Sequence, residues 1–412
     1  MKFSIIIFVV LLYIFFIWMD LFVINYWKKY SKSQNYSKLS YQIPYLLAII
    51  MGVLNLWVIV FRLTVFGTNS FIMLTFSIVS VWYVPKLIIL PFLLLTSLKR
   101  KIMKFISVKF EKKAKELDDA KAKKREERRN FIRGASWTLA GTPFVMALHG
   151  AMNTVYDFEV KDIDIFIKDL PKGLEGVKIV QISDFHAGSF YSDKPVRKMR
   201  NIIKSIEPDI LVMTGDFVNF HQNEFKHVYK EFSLFKAKYG VYGCLGNHEH
   251  YVKGEEHEAL KRIIRNAGID LIINDNREII IKGSKLNLAG VDNWGRGQKF
   301  ADFEGAMSKT DKNFPVVLLC HDPSNWRPRV RDSIDIDLML SGHTHGGQIG
   351  FEYEGINLSP VQMFYDEYAG LYTHGDKSLY VNRGCGVVGP PIRIGIRPEI
   401  SILRLRKQIN LA

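Results

Sequence analysis

Cysteine is scarce in this chain: Cys244, Cys320 and Cys385 are the only three in 412 residues. None forms a Cys-x-x-Cys pair, and three thiols cannot build a disulfide framework. Cys244 and Cys320 fall inside apolar runs and read as small buried hydrophobes. The sequence has no internal repeat. Charge is nearly missing from residues 1–98, which are apolar and aromatic. A cleavage site is missing too. The first apolar run, 3–27, is too long for a cleavable signal peptide and no small-residue site follows it.

What is present divides unevenly. Residues 1–98 hold apolar runs at 3–27, 44–66 and 71–98, about three membrane-spanning helices by length. Pro85, Lys86 and Pro91 interrupt the third run. It reads as a kinked helix, with two short re-entrant pieces as the alternative. Asp20 and Arg62 lie near helix ends, where snorkelling explains them; Lys86 has no such explanation. The formal charge of +15 is concentrated. Residues 99–133 carry 15 Lys or Arg against 6 Asp or Glu, a net of +9. A basic block flanked by apolar helices reads as a cytoplasmic loop, not as a nucleic-acid surface. The 28–43 loop is also basic and the 67–70 turn is uncharged. The positive-inside rule therefore places the N-terminus outside and the 28–43 and 99–133 loops inside.

Residues 134–150 form a fourth, weaker apolar segment, uncharged apart from His149. Ahead of it stands Arg128-Arg129-Asn130-Phe131-Ile132-Arg133, which resembles a twin-arginine export signal. Together these predict a multi-pass protein of a bacterial cytoplasmic membrane whose C-terminal domain is extracytoplasmic. Residues 151–171 read as a linker with an entry strand, and 172–408 as an α/β catalytic domain.

Within 172–408, five short apolar runs end in polar residues. The run from Val177 leads to Asp184-Phe185-His186. The run from Asp209 leads to Gly215-Asp216. The run from Tyr239 leads to Gly246-Asn247-His248-Glu249. The run from Val316 leads to His321, and that from Asp337 to Gly342-His343-Thr344-His345. Such runs read as buried strands, and open α/β sheets gather ligands at the carboxyl ends of their strands. Imidazole and carboxylate without thiolate favour Mn, Fe or Zn. Asp184 and His186 lie two apart, as do His343 and His345, so an extended chain would project each pair to one side. The glycines before the ligands permit a sharp turn. His221, His227, His257 and His374 read as surface residues. His250 reads either as lining the pocket or as facing solvent, and Asp292, at the end of another strand, is a candidate for the substrate groove.

The series Asp-x-His, Gly-Asp, Gly-Asn-His-Glu, His, Gly-His-x-His resembles the calcineurin-like metallophosphoesterases, in their order and across 177–408. The surrounding strings resemble the bacterial membrane-associated or exported phosphodiesterases of that family. The resemblance implies a four-layer α/β/β/α sandwich behind the transmembrane region. It implies two divalent ions, Mn the first choice. One would take Asp184, His186, Asp216 and His345; the other Asp216, Asn247, His321 and His343. Asp216 would bridge, and His248 would be the non-ligand histidine beside the scissile phosphate. Two divalent ions against two carboxylates and a hydroxide leave a net positive centre for an anionic ester. The expected function is hydrolysis of a phosphodiester at the membrane, with a lipid-linked substrate in view. Alternatives are a pyrophosphatase of a lipid-linked nucleotide sugar and a non-catalytic scaffold. Two departures stand out: Phe217-Val218-Asn219 replaces the Asp-Arg pair common after Gly-Asp, and Glu249 replaces an aspartate.

Overall fold

The structure, a computed structural model, describes residues 3–64, 70–110, 128, 137, 140–295, 297–353 and 356–408. The chain forms two compact units: Met1–Thr64 with Thr75–His149, and Val65–Leu74 with Gly150–Ala412.

The apolar runs of the first unit fold as helices α1 (Phe3–Ser33), α2 (Leu39–Thr64) and α3 (Ser70–Phe110). Residues 140–152 form α4. Among the described residues, three helices are long and apolar enough to cross a membrane: Ile7–Ser33, Leu39–Phe61 and Phe71–Met103. Pro85 and Pro91 lie inside α3, which stays one helix, so the re-entrant alternative falls away. Asp20 does not snorkel. It is buried and forms an ion pair with Lys86, while the Trp82 indole N–H donates to its carboxylate at 3.1 Å. The Lys86 ammonium sits 3.3 Å from the centroid of the Trp82 ring. A lysine and an aspartate one apolar helix apart can each satisfy the other in a medium without water. The 67–69 turn, residues 111–127 of the basic loop, the string Arg129–Arg133 and the side chain of Arg62 lie outside the described residues.

The second unit is built on two six-stranded sheets. Its strands are β1 (Glu159–Ile167), β2 (Lys178–Ile182), β3 (Ile210–Thr214), β4 (Val241–Cys244), β5 (Asp270–Leu271), β6 (Asp275–Ile281), β7 (Ser284–Gly290), β8 (Trp294–Gly295) and β9 (Gln298–Lys299). They continue as β10 (Val316–Leu319), β11 (Leu338–Ser341), β12 (Phe351–Tyr353), β13 (Ile356–Leu358), β14 (Gly370–His374), β15 (Lys377–Val381) and β16 (Glu399–Lys407). The first sheet runs β1-β16-β2-β3-β4-β5 and the second β14-β15-β11-β10-β7-β6. β2, β3 and β4 are parallel neighbours, as are β10 and β11. β1, which lies within the 151–171 segment, pairs in parallel with β16, Glu159 opposite Glu399 and Ile167 opposite Lys407.

Alternation along the strands sets the layers. Ile179, Ile210, Val212, Val317, Leu319, Leu338 and Leu340 fill the core between the sheets. Their neighbours Val180, Ile182, Leu211 and Met213 face a second core with α5 (Lys194–Ile206), α6 (Tyr229–Phe232) and α7 (Gly254–Asn266). Leu318 and Met339 face a third, which includes Trp326, Val330 and Ala306 of α8 (Phe303–Met307). Strands with side chains on alternating faces, apolar on both, must be covered twice. That yields α/β/β/α. All three cysteines are buried and free.

Candidate metal centre

The five runs become β2, β3, β4, β10 and β11, and each ends just before its polar cluster. The loop after β2 leans on the loop after β3: Asp184 N–H donates to Gly215 O at 3.1 Å, and His186 N–H to Asp216 O at 2.9 Å. The second sheet is tied in through Asp184, whose two carboxylate oxygens each accept from His343 N–H at 3.0 Å. Asp216 Oδ1 accepts from His248 N–H at 2.9 Å.

The ligand atoms of Asp184, His186 and His345 all lie within 4.8 Å of one another, as do those of Asp216, His321 and His343. His186, Asp216 and His248 form an overlapping third set. The Asp-x-His and His-x-His spacings work differently from the extended-chain expectation. Asp184, His186, Asp216, His343 and His345 all have positive φ, from 45° to 71°. The left-handed turns bring Asp184 and His186 together but send His343 and His345 to different clusters. Such conformations cost about 1–3 kcal/mol each and persist only where the surroundings impose them, as at functional sites.

The preceding glycines also act in two ways. Gly215 has φ 85° and turns the chain. Gly342 has no positive φ; a Cβ there would lie 1.9 Å from Ser183 Oγ and 2.3 Å from an Asp184 carboxylate oxygen. Its role is close approach rather than conformation.

The donor set fits cations. His186 Nε2 and His345 Nε2 lie 3.1 Å apart, with Asp184 Oδ1 3.2 Å from the latter and Asp216 Oδ2 3.7 Å from the former. Two ring nitrogens and two carboxylate oxygens this close must share either protons or a cation. His321 Nδ1 donates to Thr214 O at 2.6 Å, which leaves Nε2 as a lone pair 3.1 Å from Asp216 Oδ2. Fixing the outer nitrogen in this way presents the other as a ligand. Asn247 Nδ2 donates to the Tyr251 hydroxyl at 3.1 Å. Asn247 Oδ1, His186 Nδ1, His321 Nε2 and His343 Nδ1 are buried with no hydrogen-bond partner among the described residues. Burial followed by the charges of His248 and His345 keeps His186 neutral, well below its ordinary pKa. Burial pulls His321 down, but the Asp216 carboxylate outweighs it and pushes the imidazole up to about 10. Without a metal, a proton would therefore sit where the lone pair faces the carboxylate.

His248 is held apart from this pattern. Its Nδ1 bonds Asn219 O at 2.6 Å and its Nε2 stands 4.0 Å from Asp216 Oδ2. A carbonyl can only accept, so Nδ1 carries the proton and Nε2 faces the site. His250 is buried and bonds Asp292 at 2.6 Å, so neither is a free rim residue.

Four supports were not legible as such. Glu249 is buried and accepts from Asp216 N–H at 2.9 Å, Phe217 N–H at 2.7 Å and Gly246 N–H at 2.7 Å, clamping two ligand loops. Burial and then the Asp216 charge push its carboxyl up to about 7. Glu224 accepts from Asn219 N–H at 2.6 Å and so fixes the carbonyl that orients His248. The Tyr365 hydroxyl meets His343 Nε2 at 2.8 Å. Arg393 is fully buried and donates to the carbonyls of Arg383, Gly384 and Gly386 at 2.7–3.1 Å, bracing the loop against Asp184 and His345. Glu249 stood in a visible motif, but Glu224 and Arg393 act on backbone groups five to ten residues away, and Tyr365 reaches His343 from 22 residues along the chain.

Comparison with known proteins follows the same division. Residues 177–347 match the family described as "Calcineurin-like phosphoesterase". Residues 2–154 match "Probable Calcineurin-like phosphoesterase, transmembrane domain". The chain is 29% identical over 291 residues to metallophosphoesterase YkuE of Bacillus subtilis (strain 168), across 69% of this chain and 99% of that protein. It is 26% identical over 276 residues to a transmembrane protein with metallophosphoesterase domain of Danio rerio, across 64% of this chain but 61% of that protein. Among solved structures, phosphopantetheinyl hydrolase of Mycobacterium tuberculosis is similar at 15% identity and a TM-score of 0.29, across 45% of this chain and 88% of that one. That last likeness is too loose to carry an argument.

Proposed function

Because the domain at 177–347 is a calcineurin-like metallophosphoesterase, of a family of metal-dependent phosphoester hydrolases, we propose that this chain hydrolyses a phosphodiester beside the membrane that its apolar helices enter. The observation that carries the reading is the convergence of buried imidazoles on two carboxylates, with Asn247 Oδ1, His321 Nε2 and His343 Nδ1 left without a hydrogen-bond partner among the described residues. Asp184, His186, Asp216 and His345 would hold one divalent ion; Asp216, Asn247, His321 and His343 would hold a second, with Mn²⁺ the first choice. Bound there, the ions would supply positive charge for the phosphoryl oxygens and would acidify the attacking water.

The protein's own groups do the rest. Asn219 O keeps the His248 proton on Nδ1 until Nε2 also takes one. His248 then delivers the Nε2 proton to the leaving oxygen. Glu249 and Arg393 keep the ligand loops in their left-handed turns, so the ligands need no rearrangement to bind. The substrate is anionic, and a lipid-linked ester is the natural case for a domain tied to a bilayer.

The test uses the full chain in detergent. Chelation should abolish hydrolysis of bis-p-nitrophenyl phosphate, and Mn²⁺ should restore it. A panel of mono-aryl phosphate and lipid-linked diphosphate then ranks the substrate classes. Failure of the protein to bind any metal after Mn²⁺ loading would overturn the proposal.

A further inference from the structure

Two half-exposed rings stand beside His248. Phe220 follows Asn219, the residue whose carbonyl orients His248, and Glu224 fixes its backbone N–H at 2.9 Å. Tyr251 follows the Asn247-His248 turn, and its hydroxyl holds the Asn247 amide at 3.1 Å. The rings are near-parallel, with centroids 6.2 Å apart and planes 19° from each other. The His248 imidazole lies edge-on to Tyr251 at 4.7 Å and tilted to Phe220 at 5.9 Å. His248 itself is buried, whereas Phe220 is 41% and Tyr251 47% exposed. Each ring is thus fastened by its backbone or hydroxyl to the groups that set the reacting histidine, and each shows nearly half its surface to whatever approaches it. Exposed aromatic surface on a fixed backbone binds at little entropic cost, and small-molecule sites are lined in this way.

We propose that Phe220 and Tyr251 form a stacking subsite for the alcohol portion of the ester, so that the substrate class is a phosphoester of an aromatic or otherwise flat, apolar alcohol. The proposal rests on the phosphoester reading above and adds the group on the far side of the ester oxygen. The placement suits His248, because the oxygen that must be protonated belongs to the same alcohol that the rings would hold.

Phenylphosphonate and methylphosphonate carry the same head and differ only in the ring. Their affinities for the Mn²⁺-loaded full chain in detergent can be measured by calorimetry, with no turnover needed. The wild type should bind phenylphosphonate tighter by about 2- to 10-fold, the usual worth of one aromatic contact. Phe220→Ala should bring that ratio close to one, while Phe220→Trp should keep it. A wild-type ratio near one, or an unchanged ratio in Phe220→Ala, would overturn the subsite. So would an equal loss for both analogues in Phe220→Ala, since the ring would then only support the site. If neither analogue bound to protein with full metal content, the phosphoester reading itself would fall, and the subsite with it.

Discussion

His248 and Asp216 lie 4.0 Å apart, yet their surroundings give them different work. Asp216 belongs to two of the three ligand clusters, one with His248 and one with His321 and His343, and its Oδ2 faces three imidazoles. His248 has one nitrogen committed to a backbone carbonyl and one left for the substrate. His248→Ala should therefore keep the metal content and lose turnover by ~10²–10⁴-fold, the usual worth of general acid catalysis. Asp216→Asn should lose metal, because an amide brings no charge and half the lone pairs. Metal analysis alongside single-substrate kinetics separates the two; the same metal content in both variants would refute the division of roles. The motif named these residues, since ligand chemistry depends on residue type. The supports of the site, Glu224 beside His248 and Arg393 beside Asp184 and His345, bind backbone groups, and a backbone group leaves no trace in the residue type of its partner.

At the scale of single elements, α1 and α3 are joined by Asp20 and Lys86, and neither charge has water as an alternative partner. Losing one partner of a buried pair typically costs about 3–5 kcal/mol, whereas an apolar replacement of both is close to neutral. Lys86→Met should lower the thermal midpoint of the detergent-solubilised protein, and Asp20→Leu combined with Lys86→Met should recover most of it. A double variant no better than the single one would show that the pair is not the reason. In the second sheet, Asp337 precedes β11 and accepts from Val316 N–H at 2.8 Å. Burial, only partly offset by that bond, pushes its pKa up to about 6. A carboxyl with a raised folded pKa contributes stability fully present below its unfolded pKa and lost as pH rises through the folded value. Asp337→Asn keeps the acceptor without the charge. It should leave unfolding unchanged near pH 4 and stabilise the protein above pH 6, read as the difference in midpoint from wild type at each pH. An effect independent of pH would count against the titration.

For the whole molecule, the prediction concerns the side of the membrane that the catalytic domain faces. The sequence reading of the positive block at 99–133 and of the arginine pair Arg128-Arg129 predicts that the loop lies inside. On that reading the uncharged stretch that follows, helical from residue 140, would supply a further crossing before the domain. A reporter that is active only outside the cytoplasm, fused after residue 160, should be active. Replacing both arginines by lysine should block its delivery. A strong signal from a cytoplasm-only reporter at the same junction would reverse the topology and leave the chemistry untouched.

Periodicity and residue type alone determined the apolar helices, the five strand ends and the identities of the converging Asp, His and Asn side chains. These are local properties: a helix is long or short, a strand alternates or does not, and a ligand is chosen by its lone pairs. The tertiary structure decided what depends on contacts between distant segments. It paired Asp20 with Lys86 across 66 residues. It made β1 an edge strand by laying it on β16. It turned the ligand loops left-handed and so parted His343 from His345, because opposing loops from two sheets leave no room for an extended chain between them.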